Sequence, residues 1–405
     1  MPTLFVCHSV GDTNAIMAAA KAFLKKAPED EALKFLLIGK AAEEKFRALP
    51  PGDLFNDIAR VELIYLSRIV GPDRAAALEN GELIPEELGL ISAQLGEINK
   101  ALIGTPSQNN CIVPFQVAGL LADRLEHGCI YNDYLFEEKA HAYWGVVAKE
   151  DDRWLKKYTW LLPLPGATEL VHSLNPALRA ESIGHPSIDS AITAPTDSAL
   201  ISRTRGELEI AEAQALLFIS GTKDLDDDQA LLWELYHAIA SDAKYKNIVI
   251  RIGLHPGAPD LSSYVASLQA QIPEGLRDRV KLVITPKVEG ACAEGVIRRE
   301  LCISKGISGD NAANAANAVA CSVPATLVNS AALQGKPGFY LQDKEPFIQG
   351  RLLAGRANAV LFLDQIASAK KPEPATKGAL GLCEEAATEI MAKMLLSAPD
   401  GVGGR

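Results

Sequence analysis

The residues best suited to chemistry sit directly after short apolar runs. In the C-terminal half, Ser220-Gly221-Thr222-Lys223 follows one run, His255-Pro256-Gly257 a second and Thr285-Pro286 a third. Ser308-Gly309-Asp310-Asn311 then opens an alanine-rich stretch that carries Asn314. Glycine lets a backbone come close to a bound group, and a helix N-terminus presents N–H donors with a partial positive charge. Each loop alone reads as an ordinary strand-to-helix turn; in succession they suit a phosphate-bearing ligand. Asp310 would repel a phosphate and is a good N-cap, which is the role expected of it. In the N-terminal half His8 and Asp12 follow the first apolar run. An imidazole or carboxylate placed there can take a proton from an attacking hydroxyl. Asp12 is equally suited to capping a helix that starts at Thr13, and the two roles can coexist.

Other polar clusters carry less information. Ser107-Gln108-Asn109-Asn110 is a ligand-facing loop or a surface turn. Tyr131-Asn132-Asp133-Tyr134 follows an apolar run, which makes Tyr131 and Asn132 candidates for contact with a substrate. Trp144, Trp154 and Trp160 read as packing residues.

These residues need elements to hold them. Apolar runs at Leu4–Cys7, Phe35–Gly39 and Val61–Leu66 alternate with amphipathic stretches at 14–26 and 41–49. Helices are expected at 86–103 and 115–126, then strands at 129–131, 159–164 and 181–183. The pattern restarts with strands at 215–219, 247–252, 280–284 and 300–303, helices at 227–241, 261–271 and 312–320, and a last strand at 325–328. Alternation of this kind predicts parallel βαβ units, whose strands are buried on both faces and so read as continuous apolar runs. The break between halves is expected at 184–205, which contains Pro186 and Pro195. The fold expected is α/β, with two Rossmann-like domains facing across a cleft: 1–190, 205–345, and C-terminal helices over 346–398 that pack back on the first domain.

Bulk properties narrow the function. With 405 residues, 48% hydrophobic and 22% charged, the chain has ordinary globular composition. A net charge of −11 argues against a nucleic-acid partner. Seven scattered cysteines without a Cys-x-x-Cys pair read as reduced thiols in a cytoplasmic protein, and no zinc-ligand spacing appears. The N-terminus reads as a first strand rather than a signal peptide, and no apolar run is long enough to span a bilayer. The Walker A, Gly-x-Gly-x-x-Gly, His-Glu-x-x-His and Gly-x-Ser-x-Gly patterns are absent from the sequence, against P-loop NTPases, typical NAD enzymes, zinc proteases and serine hydrolases.

Two segments resemble lipid A disaccharide synthase and, more loosely, the UDP-GlcNAc 2-epimerases, families of the GT-B glycosyltransferase superfamily. Ile183-Gly184-His185-Pro186-Ser187-Ile188-Asp189 is similar to the Val-Gly-His-Pro-x-x-Asp segment of the synthase. Cys7-His8-Ser9-Val10-Gly11-Asp12 is similar to its Gly-Glu-x-Ser-Gly-Asp, with Gly11 and Asp12 matching. Ser308-Gly309 stands for a Ser-Gly-Thr-type loop, and the Glu that holds the nucleotide ribose falls on Asn314 or Asn317. Lys223 stands where the family has Arg.

The resemblance implies a metal-independent, inverting glycosyltransferase without a cofactor, using a nucleotide diphosphate sugar, a UDP-sugar first among donors. It implies His8 or Asp12 as general base. Ser220, Gly221, Thr222, Lys223, His255, Pro286, Ser308, Gly309, Asp310, Asn311 and Asn314 would line the nucleotide-sugar site, and Asn109, Tyr131 and Asn132 would face the acceptor. The acceptor, glycan, lipid or protein, is open, as is peripheral contact with the inner face of a membrane. A nucleotide-sugar 2-epimerase or hydrolase, and a non-catalytic binding protein on the same fold, are the alternatives.

Overall fold

The computed structural model describes residues 1–56, 60–105, 111–133, 142–149, 153–193, 197–255, 258, 260–291, 297–343, 348, 351–369 and 371–396. The chain divides into two compact units, Met1–Asp189 with Lys377–Arg405, and Ser190–Thr376.

The first unit runs β1 (Thr3–Cys7), α1 (Val10–Leu24), β2 (Leu33–Leu37), α2 (Lys40–Arg47), β3 (Val61–Tyr65), α3 (Leu66–Val70), α4 (Pro72–Ala77), α5 (Pro85–Leu95), β4 (Lys100–Thr105), α6 (Val113–Leu121), β5 (His127–Asn132), α7 (Ala142–Val147), β6 (Thr159–Leu162), α8 (Pro165–Leu174) and β7 (Arg179–Ser182). Among the described residues its sheet is seven-stranded and parallel, in the order β3-β2-β1-β4-β5-β6-β7. Every residue of β1 is buried, as a strand covered on both faces must be. Phe5 stacks on Phe35, which Phe46 and Phe55 also meet.

Helix α9 (Pro186–Thr193) crosses the unit boundary, and α10 (Ser198–Glu207) follows it. Most of the described part of the expected linker at 184–205 is therefore helical. The second unit continues through β8 (Ala215–Ser220), α11 (Leu225–Ser241), β9 (Ile248–Gly253), α12 (Leu261–Gln271), β10 (Val280–Ile284), α13 (Pro286–Ala291), β11 (Cys302–Ser304), α14 (Gly309–Ala315), β12 (Ala318–Cys321), α15 (Thr326–Leu333), β13 (Gly338–Tyr340), β14 (Leu353–Ala354) and α16 (Ala359–Ala367). Its sheet repeats the first, in the order β11-β10-β9-β8-β12-β13-β14.

Three sequence expectations are corrected. Residues 100–103, expected as the end of a helix, lie in β4; residues 318–320, expected to end another, lie in β12; and 326–328, expected as a strand, open α15. The tail also divides. Phe362 and Leu363 of α16 join the core of the second unit. α17 (Ala387–Leu396) instead packs on α1, its Met391 and Leu395 sharing a core with Ile16 and Phe23.

In each sheet the chain lays strands to one side of its first strand and then crosses to the other. The crossing points are β1/β4 and β8/β12. Ligands of open α/β sheets bind beyond the carboxyl ends of the strands at such points.

Candidate functional site

At the β1/β4 crossing, β1 ends at Cys7 and the chain turns through His8 and Ser9 into α1. Ser9 is the N-cap and Asp12 stands in the first turn, so the expected start at Thr13 moves three residues earlier. Asp12 is fully buried. Its Oδ2 accepts the His8 N–H at 2.8 Å, and its Oδ1 accepts the Ser9 N–H at 2.5 Å and the Ser9 hydroxyl. Burial pushes its carboxyl up to about 6, against the pull of these donors. The facing residue must be small: a Cβ on Gly104 of β4 would stand 2.6 Å from Asp12 Oδ2. The carboxylate thus shapes the loop, and its oxygens are already engaged.

His8 differs. It is 3% exposed, and neither ring nitrogen has a partner among the described residues. Burial lowers its pKa to about 4, so the ring is neutral at pH 7 with a lone pair able to take a proton. Of the expected acceptor-side residues, Tyr131 and Asn132 end β5 fully buried. Asn132 Nδ2 donates to Thr105 Oγ1 at 3.2 Å, tying β5 to β4. The Tyr131 hydroxyl has no partner among the described residues, and its ring lies 6.3 Å from that of His185. Asn109 lies outside the described residues.

The Gly-His-Pro segment does a different job. His185 Nδ1 accepts the Ser187 N–H at 3.0 Å. Asp189 Oδ2 accepts the Ala387 N–H at 2.7 Å, and Lys377 Nζ lies 2.5 Å from Asp189 Oδ1. Gly184 has φ +89, where a side chain is strained. The segment holds the C-terminal helix against the first unit.

In the second unit, a pocket of about 240 Å³ opens where β8, β9 and β10 end. It brings together Ser220, Gly221, His255, Ser308 and Gly309 from loops far apart in sequence, with Thr285 beside them. Pro256 and Gly257 lie outside the described residues. Pro286 opens α13 directly after Thr285. His255 is shifted toward the neutral ring by burial and then by Lys223, with Asp228 opposing. Lys223 itself is exposed.

The first loop of this pocket departs from expectation. The Gly221 amide donates to Gly253 O at 2.8 Å and the Thr222 amide to Asp228 Oδ2 at 2.8 Å. Those two donors are taken, and the first turn of α11 carries Asp226, Asp227 and Asp228. Neither amide is therefore left to donate to a ligand, contrary to the expectation for this loop. Asp228 is the residue the sequence reading missed. Buried, it accepts Thr222 Oγ1 at 3.0 Å, Ser322 Oγ at 2.8 Å and the Tyr264 hydroxyl. It ties together the segments after β8, β9 and β12. No local motif announces it, because its partners come from three separate segments.

Two further corrections concern α14. Its N-cap is Ser308, whose Oγ accepts the Asn311 N–H at 3.2 Å, while Asp310 is an exposed first-turn residue. Asn314 stands near the other end of the helix, where its Oδ1 accepts Gln334 Nε2 at 3.1 Å. It lines a different cavity from Ser308. Asn317 Oδ1 accepts the Leu216 N–H at 2.8 Å.

Among the described residues no group of three or more His, Cys, Asp or Glu could hold a metal ion, and no helix is long and apolar enough to cross a membrane.

No protein family model matches the chain, and no curated protein matches it. Solved structures do match over nearly its whole length. They include a putative UDP-N-acetylglucosamine 2-epimerase from Listeria monocytogenes (TM-score 0.55, 12% identity, 98% of this chain and 95% of that one). A UDP-GlcNAc 2-epimerase from Neisseria meningitidis, bound to UDP-GlcNAc, gives 0.55 at 12% identity over 98% and 100%. The enzyme from Methanocaldococcus jannaschii gives 0.54 at 9% over 98% and 99%. At these identities the likeness is one of fold, and it is the fold expected from the motifs: the chain has two Rossmann-like units of the GT-B type.

Proposed function

We propose that the chain is a nucleotide-sugar enzyme that transfers a glycosyl group, with the second unit's pocket taking the nucleoside diphosphate end of a UDP-sugar. The observation that carries this reading is the pocket itself. Loops after three adjacent strands and the Ser308-Gly309 turn converge on one space at the end of the sheet where ligands of such folds bind. The Neisseria structure of the same fold is bound to UDP-GlcNAc, which supports the choice of uridine.

The first unit's His8 is the candidate base. An acceptor hydroxyl attacks the anomeric carbon, the bond from that carbon to the diphosphate oxygen breaks, and the diphosphate leaves with the electron pair. The hydroxyl proton passes to a ring nitrogen of neutral His8. Asp12 acts through His8, by fixing the backbone that carries it. Attack from the face opposite the diphosphate gives inversion.

A second reading, a 2-epimerase, is favoured by the descriptions of the matched structures. Proton NMR of UDP-GlcNAc with the protein in D2O separates the two. Transfer leaves the hydrogen at sugar carbon 2 in place and releases UDP when an acceptor is supplied. Exchange of that hydrogen for deuterium overturns the transferase reading in favour of the epimerase. A UDP-sugar that is neither bound nor consumed overturns both.

A further inference from the structure

A second cavity of the second unit, about 570 Å³, lies beside the residues that lead into β12 and β13. It is lined by residues from both ends of the unit's chain, Asp197, Leu200 and Arg205 early and Lys371 late. Three cations, Arg205, Lys336 and Lys371, converge on it in a chain whose net charge is −11. Each of the first two is held by neutral acceptors. Lys336 Nζ donates to Ala313 O at 3.0 Å and Asn314 O at 2.7 Å. Arg205 donates to Ala315 O at 3.2 Å, Asn317 Oδ1 at 3.1 Å and Gln214 O at 2.9 Å. These carbonyls orient the cations at the end of α14 without neutralising them. The cavity's carboxylate, Asp197, is engaged in capping α10, where it accepts the Leu200 N–H at 3.0 Å. Burial and the nearby Lys371 push the Lys336 ammonium down to about 8, with no acid group opposing. Like charges gathered in a partly dry cavity are costly unless a counter-charge joins them.

We infer that this cavity binds a small polyanion of the phosphate type, at a site separate from the nucleotide pocket. Lys336 is fixed by carbonyls of α14 and Arg205 by Ala315 O, Asn317 Oδ1 and Gln214 O, Lys371 closes on the anion from solvent, and the volume accommodates a diphosphate with room for an organic substituent. The inference does not rest on the proposed reaction, since none of these residues lines the pocket containing His255.

The test is calorimetric titration of the full chain with pyrophosphate. Saturable binding is expected, weakened at least tenfold in Lys371→Glu and changed less than twofold in Lys371→Arg. Unweakened binding by Lys371→Glu, or no binding at millimolar pyrophosphate, overturns the inference. Lys371 is exposed, so the variant is expected to fold. Should it unfold, acetylation of lysines in the unmodified chain provides the readout. Protection of Lys336 and Lys371 by pyrophosphate is expected, and equal labelling with and without it overturns the inference.

Discussion

The carboxylate of Asp12 accepts the backbone N–H of His8 at 2.8 Å, so one buried titratable residue fixes the backbone that carries another. Removing the carboxylate in Asp12→Ala leaves the buried amide of His8 without its acceptor and opens a space beside Gly104. A loss of about 2–4 kcal/mol in stability is expected, read from urea unfolding. An unchanged midpoint would show that the loop holds itself.

The pH dependence separates the groups by sign. Burial holds His8 and His185 at about 4 instead of 6.5. As pH falls through that window the unfolded chain binds protons first, so each histidine removes about 3 kcal/mol of stability. Asp12, raised from 3.8 to about 6, runs the other way and returns about 3 kcal/mol as pH falls from 6 to 3.8. The acid loss is expected to shrink in His8→Gln and to steepen in Asp12→Asn, measured by urea unfolding at pH 7 and pH 4.5. Identical slopes in both variants would remove these groups from the balance.

Gly104→Ala and Gly89→Ala are a matched pair. The first places a methyl 2.6 Å from Asp12 Oδ2 and 3.1 Å from Val6 O, and is expected to cost about 1–3 kcal/mol. The second lies exposed on α5 with nothing within 4 Å of the new methyl, and is expected to gain up to about 1 kcal/mol. Thermal unfolding of the two proteins should move in opposite directions.

Lys377 is 5% exposed and pairs with Asp189. Lys377→Ala strands a partly buried carboxylate, with an expected loss of about 3–5 kcal/mol. Lys377→Met with Asp189→Asn is expected to lose less, because neither charge is then left without its counterpart. A double variant as unstable as the single one would contradict this account of how α17 is held.

The fold was legible where strands are rich in branched and aromatic residues. Phe35–Gly39, Asn247–Ile252 and Val280–Ile284 read as strands from their apolar runs. The strands across the two crossing points, β4 beside β1 and β12 beside β8, were not legible. β4 reads Lys-Ala-Leu-Ile-Gly-Thr and β12 Ala-Val-Ala-Cys. Alanine favours helices, and a short, wholly buried run has no alternation to mark it as a strand. His8 and Asp12 were visible because they follow the first strand. The roles of Asp228 and Lys377 were invisible because each depends on segments that only the fold brings together.

The most direct test of the central claim is thermal unfolding with UDP. At a concentration 100 times its dissociation constant, UDP is expected to stabilise the protein by about 2.7 kcal/mol. His255→Ala is expected to keep its fold and lose most of that gain. No stabilisation by UDP at any millimolar concentration, or an undiminished gain in His255→Ala, would contradict the assignment of the second unit's pocket to a nucleoside diphosphate.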